Sequence, residues 1–114
     1  MHFIKIDWPS QGSSMNSRGH WRQRAAIQKA MKHEAAILCR HLAPCTVAGD
    51  LPVKIIFMPP DNRRRDADNL LSSIKTALDA IAKQIGVDDS RFWPITLEKV
   101  KGDEVGVKIY IEYY

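Results

Sequence analysis

Residues 51–85 read LPVKIIFMPPDNRRRDADNLLSSIKTALDAIAKQI, and within them one periodicity gives way to another. Leu51 to Met58 is rich in β-branched residues and reads as a strand. Pro59 and Pro60 end it, because proline has no N–H to give to a ladder. Asp61 to Arg65 is a polar loop. From about Asp68 to Ile85, Leu70, Ile74, Leu78, Ile81 and Ile85 recur at helical spacing and make a buried face. Gly86 is placed to stop that helix.

The rest of the chain extends this unit on both sides. His2 to Asp7 alternates and predicts a first strand. Trp8 to Gly19 contains Pro9, Gly12, Ser13, Ser14, Asn16 and Gly19 and reads as a mobile loop. From about His20 to Leu42 the pattern is helical, with Ile27, Met31, Leu38 and Leu42 on one stripe. Ala43 to Asp50 is a connection. Two strands close the chain, about Ile95 to Lys101 and Val105 to Tyr113, with Gly102-Asp103 as the hairpin turn between them. The order β-α-β-α-β-β predicts an α+β fold over residues 1–114 as a single domain. It is a mixed sheet of about four strands with two helices on one face. The other face is left open or helps to make a dimer.

Composition narrows the function classes. At 114 residues and 45% hydrophobic content, the chain suits one folded domain with a thin core rather than a disordered tail. No apolar run approaches the length that crosses a bilayer, and Met1 to Trp8 lacks a signal-peptide pattern, so a cytoplasmic location is the expectation. Cys39 and Cys45 form no C-x-x-C pair, which argues against a structural disulfide or a zinc site. The net charge is +4, compatible with nucleic acid. Arg18, Arg22, Arg24 and Lys29 cluster early, and Arg63, Arg64 and Arg65 are consecutive. The acids gather at Asp66, Asp68, Asp88 and Asp89. A basic surface around a small acidic nest suits an enzyme that holds phosphate while binding a cation.

Asp66 and Asp68, two residues apart, aim both carboxylates into one volume if the backbone there is extended. Magnesium takes one or two carboxylates plus water and substrate phosphate, and Asp88-Asp89 offers a third ligand if the fold brings it back. An unbroken helix from Asp68 to Ile85 is roughly 25 Å long, so Asp89 meets Asp66 only if the chain doubles back or the helix is shorter. On a helical wheel Asp68, Ser72, Lys75 and Asp79 fall within about 60°. Lys75 then either stabilises a phosphate or pairs with Asp79 at i,i+4. Plainer structural roles stand beside these: Asp68 as an N-cap, Asp88-Asp89 as a turn, the arginine run as a solvated loop. His20, His33 and His41 share no ligand spacing and are read as surface or phosphate-contacting residues. Trp8, Trp21 and Trp93 are read as packing residues, with base stacking as the alternative for Trp21.

The runs RRRDADNL, IKTALDAI and GVDDSRF resemble the RusA-type Holliday junction resolvase family. The early WPS segment and the PVKI strand leading into PPDNRRRDADN extend the likeness over most of the chain. The resemblance implies a homodimer that cuts four-way DNA junctions with magnesium, or manganese as a substitute, in DNA recombination and repair, often in a phage setting. It implies neither a membrane nor a small-molecule substrate. Carried over, the essential acids fall on Asp66, Asp68 and Asp89. The family's lysine, four residues after the second aspartate, falls on Ser72, and Lys75 matches if three more residues are allowed. Arg18, Arg22, Arg24, Arg63, Arg64 and Arg65 would contact phosphates. The competing readings are a nuclease of the same fold acting on other branched DNA, a basic DNA-binding module without cleavage, and an unrelated structural protein.

Overall fold

A computed structural model describes residues 2–9 and 21–113; Arg18 and His20, and most of the expected loop before them, lie outside these. The elements run β1 (His2–Ile6), α1 (Trp21–Leu38), β2 (Leu51–Met58), α2 (Ala67–Ser73), α3 (Lys75–Ile85), a 3-10 turn (Asp89–Arg91), β3 (Phe92–Lys99) and β4 (Gly106–Ile111). The strands form one mixed sheet in the order β1-β4-β2-β3. The α+β fold with a four-stranded mixed sheet is the one expected from the sequence.

Three details differ. The last two strands do not form a hairpin. β4 lies between β1 and β2, antiparallel to both, while β3 pairs with β2 in parallel at the edge. Gly102-Asp103 therefore sits in a crossover past the end of β2, and the alternation of Val107, Ile109 and Ile111 is that of a central strand. Second, the long helix breaks at Ile74, whose φ of −112° and ψ of 8° leave the helical region. The Ser73 hydroxyl donates to the Leu70 carbonyl at 2.6 Å, a local bond that competes with the helical ladder. Ile74 is itself fully buried, so the break is held in the core. Third, α1 ends at Leu38, which is exposed; the expected Leu42 is buried, but Ala35 and Cys39 take the buried places beside it.

One sheet face carries the core. Registry aligns Ile4, Ile109 and Ile55 with Leu97, and Ile6, Val107 and Phe57 in the next row. All but the half-buried Leu97 are buried. Against them lie Ala77, Leu78, Ile81 and Ile85 of α3 with Ala35 and Cys39. Burial raises the Cys39 thiol pKa, and both cysteines are free. The opposite face carries Phe3, stacked on Tyr110 at 5.3 Å, and the Lys54–Glu98 ion pair at 3.2 Å. Gly106 (φ 147°) opens β4 where a Cβ would stand 2.8 Å from the Ile6 carbonyl oxygen; only glycine fits so close to backbone at that φ. Among the described residues no helix is long and apolar enough to cross a membrane.

Candidate active site

The loop after β2 is built around Arg65. Its guanidinium donates to the Asp61 carboxylate at 2.9 Å and to the Asp61 and Arg63 carbonyls, and it stacks over Trp8 at 5.0 Å. Trp8 in turn meets Phe57 edge-on. The Arg63 N–H and Arg65 together hold the Asp61 carboxyl below its usual pKa range. Arg65, assigned to phosphate by the sequence, thus faces inward and fixes the loop. Arg63 and Arg64 remain exposed.

This loop delivers Asp66 in extended conformation as the N-cap of α2, but its carboxylate makes no capping bond. The cap is therefore not Asp68, which enters the first helical turn. There a carboxylate is favoured by the helix dipole.

At the far end of α3, Gly86 takes the left-handed conformation, and the N–H groups of Gly86 and Val87 both donate to the Ala82 carbonyl at 2.9 Å. The chain reverses and runs back along α3. Asp88 accepts from the Ser90 N–H at 2.9 Å and caps the 3-10 turn, which with the Ser90 side chain lowers its pKa. Arg91 donates to the carbonyls of Gly49 and Val47, lashing the turn to the loop before β2. Asp88 and Arg91 are thus the structural members of GVDDSRF, and Asp89 is the residue they present.

The break at Ile74 and the reversal at Gly86 bring Asp68, Ser72, Lys75 and Asp89 to one open cleft of about 440 Å³, walled by Leu71, Leu78, Phe92 and Ile95. For Asp68, the reach to Asp89 that an unbroken helix forbids is supplied by both devices at once. Asp66 lies just before this cleft in sequence and is not part of its lining. Asp79, read from sequence only as a partner for Lys75, also has Asp89 as a neighbour. Burial and the neighbouring Asp89 carboxyl raise the Asp79 pKa, against the pull of Lys75 and Lys32. Spacing alone did not reveal that neighbour, because it depends on the chain reversal.

Among the described residues no three His, Cys, Asp or Glu side chains are arranged to hold a metal by themselves. The cleft fits a cation of magnesium's habits, which accepts one or two carboxylates and completes its shell with water and phosphate. Of the other assigned residues, Arg22 lies over Trp21 at 5.2 Å at the start of α1, and Arg24 follows two residues later in the same helix. Trp21 and Trp93 are exposed, a correction to their reading as packing residues; Trp8 alone of the three packs inside.

The family model described as Endodeoxyribonuclease RusA matches residues 10–112. The chain belongs to the RusA endodeoxyribonuclease family. It is also 34% identical over 96 residues to a protein of Xylella fastidiosa (strain Temecula1 / ATCC 700964) carried as "Uncharacterized protein". That alignment takes in 81% of this chain and 63% of the relative, so the chain spans under two thirds of the relative's length. The RusA match covers β1's following segment through β4, and hence every described residue of the cleft.

Proposed function

We propose that this RusA-family chain is a structure-selective endodeoxyribonuclease that hydrolyses phosphodiester bonds in four-way DNA junctions, with magnesium held at Asp68 and Asp89. The observation that carries the reading is the single cleft shared by Asp68, Asp89 and Lys75, residues from three different elements. Asp66, its carboxylate unspent on capping, is the third acid the family likeness assigns to the metal. When bound, such a cation polarises the phosphate and lowers the pKa of an attacking water.

The chain's own groups do the rest. Lys75, exposed at the mouth, neutralises charge on the phosphoryl oxygens. Ser72 lines the same cleft three residues earlier, so the lysine displaced from the family position still addresses the same volume. The apolar wall of Leu71, Leu78, Phe92 and Ile95 limits water on one side, which strengthens the field of the charged groups. Arg22, Arg24, Arg63 and Arg64, with Arg18 outside the described residues, would contact backbone phosphates without reading bases. Two copies of the chain, one per symmetry-related strand, would complete the junction enzyme.

The test is magnesium-dependent cleavage compared on a synthetic four-way junction, a flap and plain duplex, with the oligomeric state measured by sedimentation. Junction cleavage in preference to the others by a dimer is expected. Equal cutting of flap and junction would transfer the reading to branched DNA in general. Junction binding indifferent to magnesium, with no cutting, would make the chain a binding module.

A further inference from the structure

The cleft opens at one end of edge strand β3, and two smaller hollows follow along the same strand. The first, of about 140 Å³, lies between Ala67 and Leu70 of α2 and Leu97 to Lys99 of β3. The second, of about 160 Å³, lies between Asp61, Asn62 and Arg63 of the loop after β2 and Lys99 and Lys101 at the end of β3 and just beyond it. Lys99 lines both. Placed in order along β3, the three hollows make a discontinuous groove from the acids at Asp68 and Asp89 to a basic end at Arg63, Lys99 and Lys101.

Two features make that basic end more than scattered surface charge. Ile95, Leu97 and Lys99 alternate on the helix-facing side of β3, in register with Val53, Ile55 and Phe57, so a lysine stands where the pattern calls for an apolar residue. The backbone between the two lysines is pinned, because the Val100 N–H donates to the Phe57 carbonyl at 2.9 Å. The acids along the way are already answered. Glu98 pairs with Lys54 at 3.2 Å, and Asp61 is held by Arg65 at 2.9 Å and lies 3.7 Å from Arg63. The groove's far end is therefore net positive.

We propose that one strand of the DNA substrate lies along β3, with its scissile phosphate at the Asp68–Asp89 cleft and a later phosphate held by Lys99 and Lys101 beside Arg63. This rests on the nuclease reading above. From Ile95 to Lys99 and Lys101 is about 13–20 Å at about 3.3 Å per strand residue. At about 3.4 Å per nucleotide of one B-form strand, the second grip falls roughly four to six nucleotides from the cut.

The experiment measures binding of the full chain to a four-way junction in chelator, across a salt series, for wild type and the Lys99→Gln/Lys101→Gln double variant. Each lost phosphate contact removes about 0.9 from the slope of log affinity against log salt. The double variant should therefore lose about 2 from the slope and bind on the order of tenfold or more weakly at 0.1 M salt. Neutral methylphosphonates four to six nucleotides to one side of the cut should weaken wild type and leave the variant unaffected. An unchanged slope with wild type binding normally overturns the strand path alone. That result with self-association at lower concentration would mean that the lysines only guard the β3 edge against pairing. Absence of salt-dependent binding by wild type itself overturns the nuclease reading and the path together.

Discussion

Asp79 neighbours Asp89, and its pKa is raised by burial first and by the Asp89 carboxyl second. Asp79→Asn keeps a polar neighbour for Asp89 while removing a desolvated charge and like-charge repulsion. In chelator it should raise the melting temperature, read by thermal denaturation; a fall would show that the Asp79 charge stabilises the fold. Asp61 works in the opposite sense. Its folded pKa is depressed by the Arg63 N–H and Arg65, so its charge contributes stability above about pH 4, the unfolded carboxylate range. That contribution is lost as pH falls through the lowered value. Asp61→Asn retains an acceptor for the Arg63 N–H, so it should melt below wild type at pH 7 and converge with it in strong acid. A gap that persists at low pH would assign the effect to packing instead of charge. Lys75→Ala should lower cleavage far more than Ser72→Ala, the two being compared at saturating junction. The reverse order would move the phosphate-neutralising role off Lys75.

At the scale of elements, the site depends on two interruptions and one lash. The helix breaks at Ile74, the chain reverses at Gly86, and Arg91 ties the returning turn to Val47 and Gly49. Gly86 (φ 79°) has open space around it, so Gly86→Ala costs only the left-handed backbone, about 1 kcal/mol. Gly106→Ala adds a collision with the Ile6 carbonyl and should cost more, roughly 1–3 kcal/mol. Denaturant melts of the two variants would rank them; equal losses would contradict the close approach of β4 to β1. The sequence announced Gly86 as a stop through its place after Ile85. It did not announce the break at Ile74, because Ile74 keeps the apolar spacing of an unbroken helix and only the Ser73 hydroxyl competes with the ladder. Asp68 and Asp89 stood out in the sequence by their motifs, but their meeting in one cleft did not. It follows from the break and the reversal, which are tertiary events.

For the molecule as a whole, every strand was visible as alternation or as a short stretch of strand-forming residues, yet the sheet order was not. The segment from Ile95 to Lys101 and the one from Val105 onward look like a hairpin because a short polar loop joins them. β4 instead slots between β1 and β2, where Ile109 meets both Ile4 and Ile55, burying apolar side chains that a hairpin at the edge would leave half-covered. β3 begins three residues before its expected start. Its register shifts against β2 around Trp93-Pro94, and a proline there is tolerated because the strand is at the edge. That placement puts Phe92 and Ile95 in the wall of the cleft and so links the topology to the chemistry.

The most direct measurement is cleavage of a four-way junction by Asp68→Asn and by Asp89→Asn, with junction affinity measured beside it. Both variants should lose cleavage by about a thousandfold or more, since each removes a charge from the proposed cation seat, while binding as tightly as wild type or more so. Cleavage near the wild-type rate in either variant would contradict a shared metal site in the cleft.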